Sequence, residues 1–189
     1  MSMRQQKLAK MGYLVISVIF YIAGVAYMIL PEVSPLVLCV ISGIILIAYG
    51  VIKIIGYFSK DMYCLAFQYD LACGLFLIVF GIITLVRGQQ IMPHLSINLG
   101  ALILLDSLLT VQMSKDAKRF GLETWYVILT AAIVAGVFGG LVIIRPFQTP
   151  FFQHIIAGFA LLAQGAKSHC VVLLTVKTMK NPLIIPEDE

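Results

Sequence analysis

The chain has 189 residues, of which 61% are hydrophobic and only 12% charged, and its mean hydropathy is +1.02. Soluble domains carry about 25% charged residues, so too little polar surface is available to coat a water-soluble body. Apolar stretches sufficient for some six spans of about 20 residues use nearly the whole length, which excludes a large extramembrane enzyme domain. The formal net charge of +4 does not point to nucleic acid, because most Lys and Arg flank apolar runs, where they orient a membrane protein.

In chain order, residues 1–10 form a polar, basic start containing Arg4, Lys7 and Lys10, suited to lie along an anionic inner leaflet. Apolar runs follow at Met11–Leu30, Leu36–Phe58, Ala66–Val86, Leu95–Met113, Trp125–Ile144 and Phe151–Val176. Each is read as a helix, since a membrane barrel would alternate apolar and polar residues over short segments. Pro31–Pro35, Arg87–His94 and Arg145–Pro150 are short and rich in Pro, Gly and Gln, and are expected to be tight turns at one membrane face. The opposite breaks carry Lys60, Asp61, Lys115, Asp116, Lys118, Arg119, Lys177 and Lys180, whereas the turns contribute only Arg87 and Arg145. That asymmetry places both termini in the cytoplasm. The first run has the outline of a signal peptide, but Gly24 belongs to a pattern seen twice more, so the run is read as retained. Residues 181–189, ending Glu187, Asp188 and Glu189, form an acidic cytoplasmic tail.

A shift of 57 residues lays Gly24 on Gly81 and Gly43 on Gly100, and a further shift of 58 lays these on Gly139 and Gly158. A given column of three glycines arises by chance roughly once in 2000 at this glycine content. Gly50, Ser107 and Gly165 form a third small-residue column; Ser17, Gly74 and Ala132 form another. Small residues seven apart share a helix face and let a neighbouring backbone approach. The expected architecture is an all-α integral membrane protein with six transmembrane helices, arranged as three helical hairpins over 11–58, 59–116 and 117–180. Each unit holds an even number of spans, so the three point the same way, and the simplest arrangement is pseudo-threefold about the membrane normal.

The unit Gly24 to Pro31 to Gly43 to Gly50, repeated as Gly139 to Pro146 to Gly158 to Gly165, resembles the short membrane repeat of the HdeD-like acid-resistance proteins of bacterial inner membranes. The middle copy departs from it, with Gly88 in place of proline and Ser107 in place of glycine. The resemblance implies a part in acid or envelope stress and carries no catalytic residues.

Asp106 lies within a span, where an ionised carboxylate costs on the order of 2.5–3.5 kcal/mol to insert. Its repeat equivalents are Tyr49 and Gln164, so these three side chains are expected at one depth, with the tyrosine and the amide donating to the carboxylate. Two readings stand: a proton- or cation-handling site, or a polar clasp that sets helix register, with Asp106→Asn as the variant expected to separate them. Arg87 and Arg145 are equivalent on the turn side and are read as a basic pair that snorkels or meets anionic head groups; Glu32 is a candidate partner for either. Lys53 and Lys167 are read as snorkelling lysines near helix ends. His94, His154 and His169 have no metal-ligand spacing, the four cysteines form no CxxC pair, and no catalytic or nucleotide motif is present. No metal, cofactor or enzymatic activity is therefore expected. The expected partners are the bilayer and either a second copy or a membrane partner protein. A structural stress protein, a small transporter or channel centred on Asp106, and an accessory subunit of a larger assembly are the three functional readings.

Overall fold

The structure, a computed structural model, describes residues 2–29, 34–58, 70–91, 94–119, 121, 123–144 and 150–177. Among these residues there are seven helices and no strand: α1 (Ser2–Ile29), α2 (Pro35–Phe58), α3 (Asp70–Val86), α4 (Gly88–Ile91), α5 (Leu95–Arg119), α6 (Trp125–Ile144) and α7 (Pro150–Lys177). Five of them, α1, α2, α5, α6 and α7, are long and apolar enough to cross a bilayer, as expected for a membrane protein. Of the third expected span, Ala66–Val86, the described part is α3, whose 17 residues reach about 25 Å at ~1.5 Å per residue. Residues 66–69 lie outside the described part, as do Pro31, Glu32, Lys60, Asp61, Cys64, Arg145, Pro146, Lys180 and the acidic tail.

Two other elements exceed their sequence outlines. Helix α1 runs unbroken from Ser2 through the basic start, and α5 continues past Met113 to Arg119. The turn after α3 contains the single helical turn α4, closed by the amides of Gln90 and Ile91 donating to the Arg87 carbonyl. Beyond α5 the chain reverses at Gly121, whose φ of +75° is open to glycine at little steric cost.

The closest helix contacts do not join the helices on either side of a short turn. They pair α2 with α3, α5 with α6, and α7 with α1. Glycines mark each crossing. A Cβ on Gly81 would lie 2.9 Å from the Gly43 carbonyl oxygen, one on Gly100 would lie 2.9 Å from that of Gly139, and one on Gly24 would lie 2.9 Å from that of Gly158. Gly50 and Gly74 approach closer still, at 2.6 and 2.7 Å in the two directions, and a Cβ on Gly165 would lie 3.1 Å from the Ser17 carbonyl. At these distances backbone meets backbone, and any side chain would push the helices apart. The small residues are thus the contact surfaces of α2 with α3, of α5 with α6 and of α7 with α1. Large apolar side chains such as Val15, Ile22, Ile44, Val79, Ile133 and Val137 point outward from the bundle, as a lipid-facing surface requires.

Candidate functional site

Where the helices surround the bundle axis, the residue types change from apolar to charged. Asp106 on α5 is 2% exposed and Lys167 on α7 is 1% exposed. The Lys167 ammonium lies 2.6 Å from Asp106 Oδ2, and the Lys53 ammonium of α2 lies 3.0 Å from Asp106 Oδ1. Lys53 also reaches Asp70 Oδ1, at 2.6 Å. The result is a chain of alternating charge, Asp70, Lys53, Asp106, Lys167, with no net charge and contributions from α2, α3, α5 and α7. Charges buried in a low-dielectric interior persist only when paired and hydrogen-bonded.

Neutral donors complete the network. Tyr49 Oη donates to Asp106 Oδ2 at 2.8 Å, and Gln164 Nε2 donates to the same oxygen at 2.6 Å. Cys73 Sγ donates to Oδ1 at 3.5 Å, while Gln164 Nε2 also lies 3.3 Å from the Tyr49 hydroxyl. Tyr13 of α1 donates its hydroxyl proton to Asp70 Oδ2. The Lys53 ammonium sits 5.0 Å from the centre of the Tyr49 ring and 5.8 Å from that of Tyr13, so two aromatic faces flank the cation. Asp70 stands in the first turn of α3, where the helix dipole also favours a carboxylate.

The three side chains expected at one depth, Asp106, Tyr49 and Gln164, are brought together, and the tyrosine and amide donate to the carboxylate. The lysines differ from their sequence reading. Snorkelling requires an ammonium group that reaches water, whereas the side chains of Lys53 and Lys167 are 7% and 2% exposed and each faces a carboxylate. Asp70, Tyr13 and Cys73 were likewise not anticipated at the site. A signal for them existed in the repeat frame. Tyr13 and Asp70 are 57 residues apart, as are Tyr49 and Asp106, and each tyrosine bonds the aspartate at its own equivalent position. Lys53 follows Tyr49 by four residues, and Lys167 follows Gln164 by three, so each lies on the helix face that carries a donor to Asp106.

The other candidates lie elsewhere. Arg87 is on the turn side, where its Nη1 donates to Gln90 Oε1 at 3.1 Å; its expected counterpart Arg145 and the candidate partner Glu32 are outside the described residues. His154 packs against the Tyr27 ring with centroids 5.0 Å apart, and His169 against Tyr21 at 6.5 Å. His94 is exposed on the turn side.

Toward the turns the polar cluster is capped by apolar side chains. Phe20 meets the Tyr49 ring edge-on at 5.2 Å between centroids, and Leu46 and Ile103 are 5% and 6% exposed. Beyond this layer lies a cavity of about 210 Å³ between α1, α2, α5, α6 and α7.

A protein family described as a short repeat of unknown function (DUF308), the repeat on which the HdeD-like resemblance rests, matches residues 15–86. The match covers the second half of α1 together with α2 and α3, less than half of the chain. No curated protein and no solved structure matches the sequence.

Proposed function

We propose that this chain is a non-enzymatic, multi-pass protein of the cytoplasmic membrane, built as three parallel hairpin repeats about a pseudo-threefold axis, whose charged centre clamps the helices together. The segment ending in α3 is its third span, which with the five long apolar helices makes six, and both termini face the cytoplasm, in keeping with the excess of Lys and Arg on that side. Support for the repeat comes from the cyclic order of the glycine crossings, 43 with 81, 100 with 139, and 158 with 24, in which equivalent residues meet at every unit boundary. In line with the HdeD-like resemblance, the role served is tolerance of acid or envelope stress, in contact with lipid and with a second copy or a membrane partner.

The observation that carries the clamp reading over a transport site is the coordination of Asp106. Tyr49, Gln164 and Lys167 converge on Oδ2, and Lys53 and Cys73 on Oδ1. A carboxylate offers about four lone-pair sites, so five protein donors leave no vacant position for a cation. Its cations are the protein's own lysines. Purified protein in liposomes, followed for proton and cation flux across a pH gradient, tests this. Vesicles as tight as protein-free ones, together with acid sensitivity of a deletion strain, are the expected outcome. Flux above the protein-free rate, lost on substitution of Asp106, would establish the proton- or cation-handling alternative, and a stoichiometric protein co-purifying from native membranes would establish the accessory-subunit reading.

A further inference from the structure

The cavity on the turn side of Phe20 and Leu46 is a consequence of unequal repeats. Ala23 and Ala26 of α1 have Phe80 and Ile83 as equivalents in the second repeat and Phe138 and Leu141 in the third. In the same way Ala157 and Ala160 of α7 replace Leu99 and Leu102 of α5. All four alanines line the cavity, so the space lies where the α1–α7 pair carries four methyl groups, against Leu99, Leu102, Phe138 and Leu141 in the α5–α6 pair and Ser42, Ile45, Phe80 and Ile83 in the α2–α3 pair. The polar lining is confined to side-chain hydroxyls: Ser42, which donates to the Cys39 carbonyl at 3.1 Å, and Tyr27 with Ser96, whose hydroxyls lie 3.5 Å from each other. Ile41 also lines the space and is 48% exposed, so the rim reaches the apolar outer surface of α2.

An apolar cavity of about 150 Å³ stays dry and accommodates a molecule as large as benzene, and this one is larger. Its surroundings at Ile41 are the hydrocarbon of the bilayer. We propose that the cavity is a binding site for one acyl chain of a membrane lipid, which enters past Ile41 and ends against Phe20 and Leu46, with the polar end of the lipid toward Tyr27 and Ser96. The chain would supply the packing that the four alanines leave out, at van der Waals contact with the cavity wall. This assignment rests on the membrane location alone and is independent of whether the charged centre acts as a clamp.

The test uses the full chain in nanodiscs made with a phospholipid that carries a diazirine near the end of one acyl chain, with crosslinked residues mapped by mass spectrometry. Labelling is expected at the closed end of the cavity, at Phe20, Ala23, Leu46 and Ala160. Ala23→Phe and Ala26→Ile, which install the side chains of the second repeat, are each expected to lower it about tenfold. Labelling at open faces such as Val15 and Ile133, which are 52% and 50% exposed, should not change. Labelling restricted to open faces, or labelling of the cavity that persists in a folded Ala23→Phe variant, would overturn the proposal. Should both variants fail to fold, excess decane added to the unmodified protein provides the same decision: it displaces the labelled chain from the cavity, or the proposal is wrong. Uptake of free benzene without acyl labelling would equally exclude a lipid as occupant.

Discussion

Toward the termini, the bundle axis is filled by Tyr49, Asp106 and Gln164 with two lysines packed among them; toward the turns, the same three helices leave a cavity beside Leu46 and Ile103. Helices α2, α5 and α7 line both regions. In the charged half, each group needs a partner at hydrogen-bond distance, and an unpaired ion in the interior would cost several kcal/mol. The charged positions there are consequently specified by their neighbours. In the apolar half contacts are non-directional, so the fold persists around Ala23, Ala26, Ala157 and Ala160 with space left over. Side-chain choice is therefore loose where only volume is at stake, and is coupled between residues where charge is at stake.

The largest effect should come from breaking the charged half. Asp106→Leu leaves Lys167 and Lys53 facing a side chain that accepts nothing, and is expected to lower stability by roughly 3–5 kcal/mol, read as a lost or strongly lowered thermal transition in detergent. The lysines also change what Asp106→Asn can decide. An amide keeps a hydrogen-bonding shape but removes the counter-charge, so a clamp does not tolerate it either. Pairing Asp106→Asn with Lys167→Met removes one charge of each sign, and the double variant should be more stable than Asp106→Asn alone. Equal stability of the two would show that Lys167 and Asp106 do not form a working pair.

Smaller effects sharpen the contrast. Tyr49→Phe withdraws one donor from a charged acceptor and should cost about 1.5–3 kcal/mol, with the fold retained as judged by circular dichroism. Gly50→Ala should cost about 1–3 kcal/mol through overpacking, since its Cβ would lie 2.6 Å from the Gly74 carbonyl oxygen. Gly140→Ala is the control at the small end. Nothing lies within 4 Å of its Cβ position, and the gain in helix propensity predicts an increase of roughly 0.5–1 kcal/mol. If Gly50→Ala and Gly140→Ala behaved alike in a thermal shift assay, the close crossing of α2 and α3 would be excluded.

The site was partly legible beforehand. Asp106, Tyr49 and Gln164 share a repeat column, and side chains in one column around one axis fall at one depth, which is why they could be grouped without coordinates. Lys53 and Lys167 could not be read with the same means. A lysine near the end of an apolar run is equally suited to reach out to the head groups or to turn inward to a carboxylate, and the choice depends on the direction of its helix face relative to the axis. Asp70 was hidden for a related reason: it lies at the start of α3, at a boundary where a polar residue is ordinarily solvated.

By itself, the sequence determined that the chain is helical and belongs in a membrane, and which residues of each helix share a face, because hydropathy and the helical period are local properties. Which helix each face meets was decided only by tertiary structure: α2 against α3 and α7 against α1 where glycines allow the backbones to touch, and two lysines turned onto Asp106. Partner choice depends on the relative rotation of segments far apart in the chain, and rotation about a helix axis leaves no trace in spacing along it.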